Sequence, residues 1–240
     1  MSHALGCDLQ MWDAVAAILQ ERYTVLRYDH RGHGQSPAEP SSFGMNELAD
    51  DAAALMVQQG GGPAHFVGLS MGGMTAQALA VRHPALVKSL VIANSAAGYD
   101  EAARGGWQTR VDTVLSQGMS AIADGAMQRW FTPEFRADGH GGSARVATLR
   151  AGLLALPPVP YAAACTAVSD IDFFEGNRRI ACPVLVIAGT RDEATPPVMS
   201  EMLAQSIPGA RLRTIEAAHL SAVEQPVVFA QLVTDFLSSL

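Results

Sequence analysis

Residues 64–83 read AHFVGLSMGGMTAQALAVRH and leave no room for a loop. AHFVGLS (64–70) is a short β-rich run, and MGGMTAQALAVRH (71–83) has helical composition and is stopped by Pro84. A strand that passes straight into a helix confines the chain to folds in which strands and crossover helices alternate. That alternation recurs along the sequence. YTVLRYD (23–29), VKSLVIANS (87–95), CPVLVIAG (182–189) and ARLRTIE (210–216) read as further strands. MNELADDAAALMVQQ (45–59), ended by glycines 60–62, reads as a helix, as do PPVMSEMLAQSI (196–207) and PVVFAQLVTDFLSSL (226–240). The pattern predicts an α/β class, a mostly parallel sheet with helices on both faces.

Residues 98–178 interrupt the rhythm with helical patterns and no clear strand. They are expected to be a helical insertion between two strands. The core is then built from 1–97 and 179–240. With 240 residues, 49% of them hydrophobic, the chain can form one large core or at most two small ones.

Charge and composition exclude several functions. A net charge of −7 argues against nucleic acid as a partner, since phosphate binding needs a basic surface. No apolar run approaches a membrane span, so no membrane partner is expected. The opening MSHALGCDLQ has no basic stretch followed by an apolar one, so no signal peptide is expected. Cys7, Cys165 and Cys182 are widely spaced and form neither a metal pattern nor a disulfide framework. A cytoplasmic location is the resulting expectation.

Within 64–83, Gly68-Leu69-Ser70-Met71-Gly72 is G-x-S-x-G at a strand end and helix start. Such a turn requires flanking residues without side chains and lifts the serine hydroxyl above the strand ends. The Met71 amide, at the helix N-terminus, points at negative charge developing beside it. The plain alternative is a Gly-rich turn with a capping serine. A serine nucleophile needs a base and a group that orients it, and after this motif the chain order is acid, then histidine. His219, in EAAHLSAVEQP, is the one histidine that follows a later core strand. Asp192, in VLVIAGTRDEATPP, closes the strand before it; Glu193 is a weaker choice, and Glu216 is too near His219 along one loop. Ser70, Asp192 and His219 thus follow the ends of three core strands in the required order.

GLSMGG, DHRGHGQS, VIAGTRDEATPP and AAHLSAVEQP resemble the α/β-hydrolase fold family, and within it the 3-oxoadipate enol-lactonases. The likeness runs from His3 onward and includes HALGCDLQMWD, QRWFTPEF, NRRIACP and QLVTDFL. It implies hydrolysis of 3-oxoadipate enol-lactone in aromatic catabolism, with no cofactor and a small lactone or ester as the partner. A general or perhydrolase-like carboxylesterase and a non-catalytic binding protein of the same fold are the alternatives. The resemblance also implies that 98–178 caps the active site and that the loop His3-Ala4-Leu5-Gly6 supplies a second oxyanion amide, that of Leu5. Asp29–Gly34 is expected to be a turn rather than a metal site. Arg129 and Trp130 are candidates to hold a substrate carboxylate, ahead of Arg104 and Arg110. Relatives carry about twenty more residues before the segment matching His3, holding three strands, one of them between those matching 23–29 and 64–70. A sheet lacking that interior strand is expected to have unpaired backbone and an open cleft; the expectation is either that the start of the sequence is misassigned or truncated, which is the preferred reading, or that the chain is a short form of low stability.

Overall fold

Four parallel strands form the sheet in the order β1 (Ala64–Leu69), β2 (Val87–Ala93), β3 (Val184–Gly189) and β4 (Arg211–Ile215). The structure, a computed structural model, describes residues 1–38, 42–60, 62–138 and 141–240; Gly61 and His140 lie outside the described residues. Every residue of β3 is buried, as is most of β2. This is why β3, and β2 from Leu90 onward, read as continuous apolar runs: in a parallel sheet covered on both faces neither side of the strand meets water. Burial of each large side chain there contributes about 1.5–3 kcal/mol.

Helix Met71–Arg82 packs against β1, β2 and helix Met45–Gln58, while Pro197–Ser206 packs against β3 and β4. Helices Asp13–Leu19 and Pro226–Ser238 pack against each other, the second also against β4. Met71 through Ala80 are all buried. Glycine and alanine at 72, 73, 76, 78 and 80 let this helix sit close under the sheet.

Among the described residues six helices come between β2 and β3, Glu101–Gln117, Ser120–Trp130, Pro133–Ala137, Gly142–Ala155, Pro158–Ser169 and the short Phe174–Asn177. An antiparallel bridge joins Gly98 to Asp172, and the Phe173 amide donates to Ala97 O at 2.7 Å. Both ends of this helical segment therefore leave the sheet at one place. Among the described residues no single helix is long and apolar enough to cross a membrane.

The expected strand at 23–29 is a correction. Tyr28 makes one isolated bridge, to Ser2, and no ladder forms. Ser2 also bridges Gly68, with Ser2 N donating to Val67 O at 2.9 Å and Leu69 N to Ser2 O at 3.2 Å. A strand exists only where a neighbour supplies donors and acceptors along its length, and Ser2 supplies them at one point. Beyond it, Thr24–Leu26 and Ala64–Phe66 flank an open groove of about 280 Å³, with Met1 at its end.

Candidate active site

Ser70 has φ 56° and ψ −117°, a region that residues with side chains rarely adopt and that stores about 1–3 kcal/mol of strain. The surroundings hold it there. Ser70 N donates to Ala93 O at 2.9 Å, and Ser70 O accepts from Ser95 Oγ at 2.9 Å and Met74 N at 3.0 Å. The flanking glycines are required by space. A Cβ on Gly68 would lie 2.1 Å from Gly72 O, and one on Gly72 would lie 2.1 Å from Ser2 O.

Asp192 follows β3 and His219 follows β4. His219 Nδ1 lies 2.9 Å from Asp192 Oδ2 and 3.1 Å from Oδ1, and both side chains are buried. The carboxylate has further donors: Ala194 N and Thr195 N on Oδ1 at 2.8 and 2.9 Å, and Thr195 Oγ1 and Asn94 Nδ2 on Oδ2 at 2.7 and 2.9 Å. Burial works to raise the Asp192 pKa. Attraction to His219 and the hydrogen bonds from His219, Thr195 and Asn94 outweigh it and hold the carboxyl below its usual range. An ionised Asp192 keeps the proton of neutral His219 on Nδ1 and leaves Nε2 as a base. Glu193 lines the cavity without bonding to His219, and Glu216 instead accepts from Thr190 Oγ1 at 2.6 Å.

Asn94 is a residue that the sequence reading passed over. It directly follows β2 with φ 46° and is fully buried. Its amide donates to Asp192 Oδ2 at 2.9 Å and to Ala218 O at 3.2 Å, and its oxygen accepts from Ser221 Oγ at 2.5 Å. It ties the acid to the loop on both sides of His219. Asparagine after a run of β-formers was the available signal, because Asn tolerates left-handed backbone better than most residues. Glu224 is a second such residue. One oxygen accepts from Ala218 N at 3.0 Å and the other from Thr132 Oγ1, and Leu220 N donates to Trp130 O at 3.0 Å. The histidine loop is thereby fastened to the helical segment above it.

Ser70 and His219 line one cavity of about 300 Å³ together with Leu5, Trp107, Arg110 and Arg129. Ser70 Oγ makes no hydrogen bond to His219, whose side-chain bonds go to Asp192 and Thr195. Leu5 and Met71 lie beside the serine, and their amides donate to no protein acceptor among the described residues. Trp130 also lines the cavity and is mostly buried, its ring tight against Gly6. Arg110 stacks over Trp107 at 5.0 Å. Burial and the neighbouring Arg110 charge pull the Arg129 guanidinium below its ordinary pKa. Arg104 is turned elsewhere, donating to Tyr99 O at 3.2 Å and Ile171 O at 3.4 Å. No group of three or more His, Cys, Asp or Glu is placed to hold a metal among the described residues. His30 and His33 instead pack with His3, ring centroids 4.6 and 5.3 Å away.

A strained serine between a strand and a helix, beside a buried His–Asp pair, directs comparison with known hydrolases. Residues 1–226 match the family described as alpha/beta hydrolase fold. The chain belongs to the α/β-hydrolase fold family. It is 38% identical over 228 residues to 3-oxoadipate enol-lactonase 2 of Acinetobacter baylyi, covering 95% of this chain and 84% of that one. It superimposes on the crystal structure of the enol-lactonase from Burkholderia xenovorans LB400 with a TM-score of 0.93 at 36% identity, covering 99% and 89% of the two chains. The pimeloyl-acyl-carrier-protein methyl ester esterase of a Neisseria meningitidis serogroup C strain is 30% identical over 253 residues, covering 98% of this chain and 91% of that one. The expected fold class, a parallel α/β-hydrolase sheet with helices, therefore holds, and this α/β hydrolase is a hydrolytic enzyme.

Proposed function

We propose that this α/β hydrolase is a serine lactonase that opens an enol-lactone carrying a carboxylate, such as 3-oxoadipate enol-lactone, with Ser70, Asp192 and His219 as its catalytic residues. The observation that carries the reading is the shared cavity. It presents a strained serine, a histidine whose Nδ1 is held by a buried carboxylate, two arginines and Leu5, whose amide, like that of Met71 next to the serine, has no protein acceptor among the described residues. His219 Nε2 takes the proton as Ser70 Oγ attacks the lactone carbonyl. The amides of Leu5 and Met71 stabilise the oxyanion, each strong donor contributing about 3–4 kcal/mol. The tetrahedral intermediate collapses by breaking the ring C–O bond, and the enolate oxygen leaves. Protonation at carbon turns that enolate into a ketone. Water, activated by His219, then attacks the acyl-enzyme and releases the keto-diacid and Ser70. No step draws on a cofactor.

Arg110 and Arg129 support the substrate class. Neither faces a carboxylate in an ion pair among the described residues, and both line the cavity. A substrate carboxylate placed between them relieves their mutual repulsion and accepts charge-assisted hydrogen bonds. The likeness to the enol-lactonases supports the same class. We further propose that the helices between β2 and β3 act as a cap that carries this specificity.

The test compares hydrolysis of 3-oxoadipate enol-lactone with hydrolysis of an uncharged methyl ester of similar size, using the native chain and Ser70→Ala. The reading expects turnover of the lactone that Ser70→Ala abolishes, and much weaker activity on the ester. Equal rates on both substrates point to a general esterase. Failure of Ser70 to react with a fluorophosphonate points to a binding protein.

A further inference from the structure

Leu5 is the more demanding of the two oxyanion donors. Met71 opens a helix locked under the sheet, whereas Leu5 sits in the loop after Ser2. An amide serves as such a donor only when it is aimed before the substrate arrives. Something must fix the peptide planes on both sides of Leu5.

Two buried imidazoles meet those planes. On one side His33 Nε2 lies 3.2 Å from Gly6 N, and on the other His3 Nδ1 lies 2.8 Å from Ala4 O. The backbone partners set both tautomers. His33 Nε2 faces an N–H and must accept, so its proton sits on Nδ1 and is donated to Arg31 O at 3.2 Å. His3 donates from Nδ1 to Ala4 O, and its Nε2 accepts from His30 N at 2.9 Å. Burial draws both imidazoles well down, His3 to about 3 and His33 to about 4, so each stays neutral and keeps its accepting lone pair.

The turn that carries His33 is braced in turn. Asp29 accepts from Leu9 N at 2.7 Å and Gln35 N at 2.9 Å, and Arg31 forks onto Asp51 with two bonds of 2.7 Å. His33 therefore has a rigid base from which to hold Gly6. On this basis we propose that His33 is a positioning residue for the reaction: by accepting the Gly6 N–H it aims the Leu5 amide at the oxyanion, with His3 holding Ala4 from the other side. The inference rests on the reading of Leu5 as an oxyanion donor.

The experiment keeps the two apart. In the native chain labelled at Ser70 with a phosphonate, the Leu5 amide proton is expected to move downfield in the ¹H–¹⁵N spectrum. No movement overturns Leu5 as donor and this inference with it. A through-hydrogen-bond coupling between Gly6 ¹⁵N and His33 ¹⁵Nε2 is expected in the native chain, and its absence overturns the His33 contact alone. His33→Leu removes the acceptor. It is expected to lower kcat by about 30–100-fold with KM within threefold and to abolish the Leu5 shift; a misaimed donor loses much of the 10²–10³ that one oxyanion donor contributes. His33→Gln, whose side-chain oxygen reaches the Nε2 position, is expected to restore both readouts. A folded His33→Leu with unchanged kcat and an unchanged Leu5 shift overturns the proposal. So does a folded His33→Gln as impaired as His33→Leu.

Discussion

The buried histidines make a measurable demand on pH. Burial first, and then the His33 charge, lowers the pKa of His3 to about 3; burial lowers that of His33 to about 4 against the opposing pull of Arg31 O and Asp29. His30, between them, is driven well below its ordinary value by burial and by the two neighbouring rings. The Met1 ammonium, which donates to Leu26 O at 2.6 Å, is itself drawn down to about 5 by burial and Arg27. In the unfolded chain each imidazole titrates at about 6.5. Between about pH 6.5 and pH 4 the unfolded state therefore binds more protons than the folded state. Stability is full above that window and is lost as pH falls through it. For His33 alone, going from pH 7 to pH 5 removes about 2 kcal/mol by this linkage, and His3 adds a comparable amount. Urea unfolding at both pH values, for the native chain and for His33→Gln, measures the effect. Glutamine does not titrate, so the variant's loss between pH 7 and pH 5 is expected to be smaller by about 2 kcal/mol. An identical loss in both proteins refutes the account.

Three further outcomes are expected. Asn94→Ala leaves Asp192 Oδ2, Ser221 Oγ and Ala218 O each short of a partner in a buried setting; urea unfolding should show a loss of about 2–4 kcal/mol, and kcat should fall at least tenfold. Native-like stability and turnover contradict that role. Gly72→Ala drives a methyl group into Ser2 O, so thermal melting should fall steeply or soluble protein should be lost, whereas an unchanged melting temperature means the Ser2 contact yields readily. Thr132→Val removes the hydroxyl that donates to buried Glu224; a stability loss of about 1–3 kcal/mol and a lower kcat are expected, and an unchanged kcat shows that this tie does not steady the histidine loop.

Most of the architecture is legible along the chain because its signals are local. Each buried parallel strand is a run of β-formers, and each crossover helix has its own start and stop, as with Met71–Arg82 ahead of Pro84. The order Ser70, Asp192, His219 can be read for the same reason, since each follows the end of a strand and the strand ends share one edge of the sheet. The strand at 23–29 could not be decided that way. Its composition favours extension, but a ladder depends on a neighbour, and Ser2 offers one bridge.

Sequence alone determined the fold class, the strained turn at Ser70 and the candidate acid and base, because these follow from residue type and spacing. Tertiary structure alone decided which groups surround them. Asn94 reaches Asp192 across 98 positions, Thr132 reaches Glu224 across 92, and His33 reaches Gly6 across 27. No local pattern encodes such contacts, because they arise only when strand ends and loops distant in the chain are packed around one buried site.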